Sequence, residues 1–385
     1  MNSTILFLTL KVFSATGGIE KVCRVAGKAF YEYGIEHNMR VRLFSMHDEQ
    51  KAADNNKYFP TEIFTGFNVR KTLFMQRAVS EGCKSKIVVL SHINLLLAGW
   101  LIKKMCPSVK IILLAHGIEV WDTLGTAKKK MLNCCDEIVA VSEYTRDKIV
   151  GLHGIDAEKC TVINNCLDPF LPILKNVSVS PALRSRYGFA GTDKIIFTLT
   201  RLSAKERYKG YDKVMNALVQ IKDPYVKYLI AGIYDEGEKE FIDGIIKDLK
   251  LESRVVLAGF IIDDEVPAHF ALSDCYVMPS VKEGFGIVFI EAMYYGLPVI
   301  AGNVDGSVDA LKNGELGLLV NPSDVKEIRA AIETLLQDPA KYVPDHKLLM
   351  KNFSYDSYKT RINAILGKCA ATLNMKPALH NRQAL

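Results

Sequence analysis

Glu283-Gly-Phe-Gly-Ile-Val-Phe-Ile-Glu291 sets two carboxylates eight residues apart around a glycine-rich turn. The turn follows a short apolar run at 275–278 and leads into a helix predicted over 289–295. Gly284 and Gly286 let the backbone on either side of Phe285 approach a ligand closely. The amides of Gly286 and Ile287 fall at the helix start, where the dipole favours phosphate. Glu283 lies in the loop, beyond such a phosphate, and Glu291 lies inside the helix. A carboxylate accepts from two hydroxyls at once, which suits ribose and hexose recognition. On residue types alone, a glycine-rich turn with two solvated glutamates fits the pattern equally well.

Cations stand at a comparable junction. Thr200-Arg201-Leu202 ends an apolar run at 195–199, and Lys209-Gly210 precedes a helix predicted over 212–221. Two fixed cations there would oppose the charge of a departing diphosphate, each worth about 4 kcal/mol at contact before desolvation. Lys205 and Arg207, in the same loop, read as solvated. Thr16-Gly17-Gly18-Ile19-Glu20 is a weaker signal, two glycines at a strand-to-helix junction that do not form Gly-x-Gly-x-x-Gly. His116-Gly117 closes the run at 111–115, where an imidazole can meet a sugar hydroxyl or a developing charge.

Several elements must hold these residues. Apolar runs at 5–10, 41–44, 87–90, 111–115, 138–141 and 161–163 alternate with helix-length segments. Runs at 195–199, 228–231, 255–257, 275–278, 298–300 and 318–320 repeat the pattern. Unbroken apolar strands between helices indicate α/β domains with parallel sheets buried on both faces, whose ligands bind at strand carboxyl ends. Pro169, Pro172 and Pro181 mark a linker. The expected division is therefore an N-terminal domain over 1–169, a linker over 170–181, a second domain over 182–354, and a helix with a weakly structured tail over 355–385. That helix is expected to pack back on the first domain.

Composition narrows the class. Hydrophobic residues make 49% and charged residues 24%, as in a globular α/β protein. The net charge of +6 is too mild to argue for nucleic acid. Nine scattered cysteines without a Cys-x-x-Cys pair argue against a disulfide framework or zinc site and point to a reducing compartment. Met1 to Leu10 lacks the basic flank and cleavage site of a signal peptide, so it reads as a buried strand. The run at 93–102 has about half the length a membrane span needs. A P-loop is excluded by the missing Gly-x4-Gly-Lys-Ser/Thr.

Taken together, Glu283 and Glu291, Arg201 and Lys209, His116 and the pair Gly17-Gly18 resemble family 4 retaining glycosyltransferases of bacterial surface-polysaccharide type. Val141-Ser142-Glu143-Tyr144-Thr145-Arg146, Val162-Ile163-Asn164-Asn165 and Asp305-Gly306-Ser307 extend the resemblance over nearly the whole chain. It implies the GT-B fold, two Rossmann-like doubly wound domains facing a central cleft. It implies that the second domain holds a nucleotide-diphosphate sugar, with Arg201 and Lys209 on the diphosphate, Glu291 on the ribose and Glu283 on the hexose. The base would lie against Gly259-Phe260-Ile261, and Gly17-Gly18 would close over the phosphates or the acceptor. His116 would act in catalysis. No metal or cofactor is implied, and no Asp-x-Asp motif stands near these residues.

The acceptor is expected in the first domain, as a saccharide or lipid-linked oligosaccharide. Arg70, Lys71 and Arg77 flank Leu73, Phe74 and Met75, and Lys103-Lys104 follow an apolar helix. Basic, apolar helices suit an anionic membrane surface, so the expected place is the cytoplasm, peripheral at the inner face of the membrane. Burial of 95–102 with solvated lysines is the competing reading. A GT-B-fold nucleotide-sugar epimerase and a non-catalytic sugar-nucleotide-binding paralogue also stay open.

Overall fold

Apolar runs too short for helices and bounded by turns form strands here, thirteen among the residues described by the computed structural model, which are 4–15, 17–173 and 181–371. Seven make the first sheet: β1 (Thr4–Thr9), β2 (Arg40–Ser45), β3 (Phe64–Gly66), β4 (Ile87–Leu90), β5 (Lys110–Ala115), β6 (Glu137–Ala140) and β7 (Cys160–Val162). Their order is β3-β2-β1-β4-β5-β6-β7, and every pairing is parallel. Ile5, Leu6, Phe7 and Leu8 are wholly buried, because helices cover both faces of a parallel sheet. The helix Gly18–Glu36 supplies one cover. It buries Val22, Ala26, Ala29, Phe30 and Tyr33 at three- and four-residue spacing, with Phe30 edge-on to Phe7 at 5.0 Å.

Six more strands form the second sheet: β8 (Lys194–Leu199), β9 (Val226–Ala231), β10 (Val255–Gly259), β11 (Cys275–Met278), β12 (Val299–Gly302) and β13 (Leu318–Val320). They are again all parallel, in the order β10-β9-β8-β11-β12-β13. Both sheets are doubly wound. The strand order reverses between β1 and β4 in one and between β8 and β11 in the other, and each reversal opens a crevice beyond the strand carboxyl ends.

The chain divides into two units. The first runs to Ala140 and includes Arg146–Ile163 and the residues from Asp356 on; the second comprises Val141–Thr145 and Asn164–Tyr355. The C-terminal helix Tyr355–Ala371 buries Tyr358, Ile362, Ile365, Leu366 and Cys369. Lys359 bonds Glu32 at 2.9 Å and Glu36 at 2.8 Å, and Lys368 bonds the almost wholly buried Glu137 at 2.9 Å. These contacts hold the helix to the first unit.

One strand escapes the sequence reading. β3, Phe-Thr-Gly, is too short to show alternation and is defined by its pairing with the edge of β2. Residues 174–180 of the expected linker and 372–385 of the expected tail lie outside the described residues.

Candidate functional site

The loop after β8 carries Arg201 and, through a short 3-10 segment Ala204–Lys209, delivers Lys209 to the helix Tyr211–Gln220. The loop after β11 carries Glu283. Since β8 and β11 flank the reversal of the sheet, topology brings the two loops side by side. The amide of Val281 donates to the Tyr208 carbonyl at 3.0 Å and ties them together. The Lys209 ammonium forms an ion pair with the Glu283 carboxylate, both side chains being largely buried. Burial opposes the lysine's charge, but Glu283, helped by Tyr208, outweighs it and holds the ammonium above its ordinary pKa. Arg201 is exposed and pairs with Glu206 at 3.0 Å. The half-buried Tyr208 phenol, raised first by burial, lies in the field of Lys209, Glu206, Glu283 and Arg201 together.

Behind this group Tyr276 is fully buried and its hydroxyl donates to the Leu199 carbonyl at 3.0 Å. The charges of Glu283 and Glu291 both act on it, which brings the helix carboxylate near the same strand ends. Glu291 is buried in the helix Ile287–Tyr294. That helix starts at Gly286, with φ 84°, a left-handed value that glycine adopts without strain. The Phe289 amide donates back to the Gly286 carbonyl at 3.0 Å, whereas the amides of Gly286 and Ile287 precede any acceptor of their own helix. Phe285 turns its ring into the core, edge-on to Phe353 at 5.5 Å, leaving its backbone at the turn.

Asp305 sets the shape of this loop. Its carboxylate accepts from the Glu283 amide at 2.6 Å, the Ser280 hydroxyl at 2.8 Å and the Ser307 amide at 2.9 Å. Burial outweighs these bonds and pushes the carboxyl up to about 6. The Gly306 amide donates to the Glu283 carbonyl at 2.8 Å. A Cβ at Gly306 would stand 2.0 Å from the Gly284 oxygen, so no larger residue fits beneath the turn as built.

At the ends of β9 and β10, Ile233, Phe260 and Ile262 are each more than half exposed, while Ile261 is buried. Gly259, with φ 75°, turns the chain there, close to the Tyr234 hydroxyl. This is an apolar surface at strand carboxyl ends, where burying a flat ring would be favourable.

The first unit holds the other expected residues. Gly17 caps the helix Gly18–Glu36 in an extended conformation, and a Cβ at Gly18 would meet nothing within 4 Å. Thr16 lies outside the described residues. The His116 Nε2 bonds the Ser91 carbonyl at 2.7 Å, and its backbone amide donates to the Glu119 carboxylate at 2.5 Å. A carbonyl accepts only, so Nε2 carries the proton; Nδ1 is buried without a hydrogen-bond partner. His92, after β4, is depressed first by burial and then feels Glu119, His116, Lys128 and Glu20. His92, His116, Glu119 and Glu20 therefore share the carboxyl side of the first sheet.

Two family models match the chain. Residues 16–169 match "Glycosyltransferase Family 4", and residues 179–359 match "Glycosyl transferases group 1". The chain belongs to glycosyltransferase family 4. It is 30% identical over 244 residues to the GDP-mannose-dependent alpha-(1-6)-phosphatidylinositol monomannoside mannosyltransferase of Mycolicibacterium smegmatis, covering 60% of this chain and 62% of that protein. It is 26% identical over 204 residues to the mannosylfructose-phosphate synthase of Agrobacterium fabrum, covering 50% of this chain and 43% of the relative. The chain thus spans less than two thirds of the length of these curated relatives. The crystal structure of Anabaena Alr3699/HepE in complex with UDP and glucose shares the fold, with a TM-score of 0.76 at 21% identity over 95% of this chain and 100% of the other. Sucrose-phosphate synthase from Thermosynechococcus elongatus gives 0.74 at 18% identity, over 96% and 100%. The fold of this family 4 chain is GT-B.

Four of the cations named from the sequence have partners in the structure. Arg201 holds Glu206 of its own loop, and Lys209 holds Glu283 of the neighbouring loop. Arg207 is solvent-exposed, as read from the sequence, but it is also partnered. It makes a two-nitrogen pair with the buried Glu238, which also takes the Tyr211 hydroxyl, and it stacks 3.4 Å from the Phe241 ring centroid. Lys103 is likewise spent on Asp136 at 2.7 Å and the Val109 carbonyl at 2.8 Å. Residue types and spacing do not single out Tyr208 or Glu119, and His92 stands out only by repeating the strand-end signal of His116.

Proposed function

We propose that this family 4 chain is a retaining hexosyltransferase that takes a nucleotide-diphosphate sugar as donor and a saccharide or lipid-linked acceptor, in polysaccharide biosynthesis. The observation that carries the reading is the gathering of Arg201, Lys209 and Glu283 around Tyr208, at the topological reversal of the second sheet. On this reading the diphosphate displaces the carboxylates from Arg201 and Lys209 and lies toward the helix start at Gly286 and Ile287. Each freed carboxylate gains a new role or returns to water: Glu283 accepts from hexose hydroxyls, and Glu206 turns outward. Glu291 accepts from the ribose, and the base covers Gly259 and Phe260. As the family resemblance implies, Gly17-Gly18 closes over the phosphates or the acceptor and His116 acts in catalysis.

In the reaction the bond from the anomeric carbon to the diphosphate oxygen breaks, and the acceptor oxygen bonds the same face. The acceptor proton passes to the departing phosphate. Arg201 and Lys209 stabilise the charge that develops on that phosphate, where fixed cations act most strongly. The donor class agrees with a relative named for GDP-mannose and with a like-folded protein crystallised with UDP and glucose.

Peripheral membrane binding belongs to the same proposal. Leu73, Leu97 and Met105 are exposed on the helices Lys71–Gly82 and Leu96–Met105, which pack together, with Arg70, Lys71 and Lys104 nearby in sequence. Among the described residues no helix is long and apolar enough to cross a membrane.

A thermal-shift panel of nucleoside diphosphates and their sugars tests the donor site, since a bound ligand raises apparent stability. The expected result is stabilisation by one diphosphate series, abolished in the Arg201→Ala, Lys209→Ala double variant. Glu283→Ala should stop transfer and leave nucleotide affinity largely intact. Wild-type turnover in the double variant contradicts the proposal.

A further inference from the structure

A second basic group lies in the first unit, apart from every residue assigned above except Lys71. The chain leaving β1 and the chain leaving β2 stay paired beyond the sheet. The amides of Met46 and His47 donate to the carbonyls of Thr9 and Leu10, each at 3.0 Å. A third segment joins them, the Asn68 amide donating to Asp48 at 2.8 Å and the Val69 amide to Met46 at 2.9 Å. Both Asn68 (φ 44°) and Val69 (φ 62°) are left-handed, and for a β-branched residue that conformation is strained. Such strain persists only where the surroundings fix it, and it concentrates at ligand sites. Its effect here is to start the helix Lys71–Gly82 beside the turn that carries His47.

We infer that Lys11, His47 and Lys71, set on these three joined segments, form an anion subsite that takes a phosphate group of the acceptor. The link to the acceptor rests on the proposed transferase reading; the anion site itself does not. Carboxylates close by are already committed. Asp48 is fully buried and accepts from the amides of Val12 at 2.6 Å and Ser14 at 2.7 Å and from the Ser45 hydroxyl at 2.5 Å. Glu49 pairs with Lys51 at 3.0 Å. Among the described residues neither Lys11 nor Lys71 has an ion pair. The imidazole of His47, depressed first by burial and then by Lys11 and Lys71, reports their nearness. Crowded cations repel one another, and an anion between them relieves that repulsion. The platform is rigid, because Asp48 holds the loop amides, Arg24 donates to the Val12 carbonyl at 2.9 Å, and the Phe13 ring packs on Phe59 and Phe64.

The test uses the full chain with histidine labelled, the donor site first saturated with whichever of GDP or UDP raises its melting temperature most. Inorganic phosphate is titrated in one arm. Vesicles of phosphatidylcholine with phosphatidic acid, against phosphatidylcholine alone, form the other. The His47 resonance should shift saturably in at least one arm. In Lys11→Gln, Lys71→Gln the dissociation constant should weaken about tenfold or more, as loss of two charges near an anion requires. Lys11→Arg, Lys71→Arg should keep binding, which guards against a variant that merely misfolds. A shift with phosphate identifies a soluble phosphate group; a shift with the acidic vesicles alone identifies a lipid headgroup. An unmoved His47 resonance in both arms, or equal binding by the glutamine variant, overturns the inference. Failure of both nucleotides to stabilise the chain would instead count against the transferase reading.

Discussion

Gly306→Ala should disable the donor loop without touching any charged residue. Gly306 has φ −66° and ψ −5°, values open to alanine, so the effect must come from space and not from conformation. The new Cβ would lie 2.0 Å from the Gly284 oxygen, 2.5 Å from its carbonyl carbon and 2.8 Å from the Glu283 oxygen, all backbone atoms. Ordinary contact begins at 3.4 Å, so the turn must retreat by the difference, 3.4 − 2.0 or about 1.4 Å. Glu283 and Gly286 ride on that turn. Overpacking of this kind costs about 1–3 kcal/mol, a fall in melting temperature of roughly 3–10 °C for a unit of this size. A shift of an ångström in a positioning loop lowers turnover by about a hundredfold. Thermal unfolding and the release of nucleoside diphosphate from the preferred nucleotide sugar measure the two effects. Gly244→Ala is the matched control. It lies in the helix Glu236–Asp248 with nothing within 4 Å of a Cβ, and should stabilise by about 0.5–1 kcal/mol. Wild-type melting temperature and turnover in Gly306→Ala would refute the packing of the turn on the Asp305–Ser307 loop.

Three other outcomes are expected. Lys209→Met should be rescued in part by Glu283→Gln, because the single change leaves a largely buried carboxylate unpaired; a double-mutant cycle on stability should give about 1–3 kcal/mol of coupling, and strict additivity would deny the pair. The Asp305 carboxyl keeps its proton up to about 6 while the unfolded chain loses it near 3.8, so the folded state binds more protons in that window. Its contribution is therefore complete below pH 3.8 and lost as pH rises through 6, on the order of 3 kcal/mol; Asp305→Asn should flatten this slope in urea unfolding, and an unchanged slope would show the carboxyl titrates normally. Long-range nitrogen–proton spectra should find neutral His116 with its proton on Nε2; the Nδ1 tautomer would exclude the bond to the Ser91 carbonyl.

The amino-acid order alone indicated the two doubly wound sheets, because a strand buried on both faces must be largely apolar and twelve of the thirteen strands carry such a run, even where Arg42 interrupts β2 and Thr161 interrupts β7. It also determined which loops stand at strand carboxyl ends, and so singled out Arg201, Lys209, Glu283 and His116 as residues worth attention. Pairing across the sheet had to decide the rest. Phe64–Gly66 is a strand only because β2 offers an edge, and Arg207 is structural only because Glu238, 31 positions away, is buried beneath it. The same holds for the partners of Lys209 and Lys103, for the histidine pair at the ends of β4 and β5, and for Gly306 under the turn. Local pattern records burial, which each residue carries in its own side chain; partnership belongs to two distant residues at once and exists only after the chain has folded.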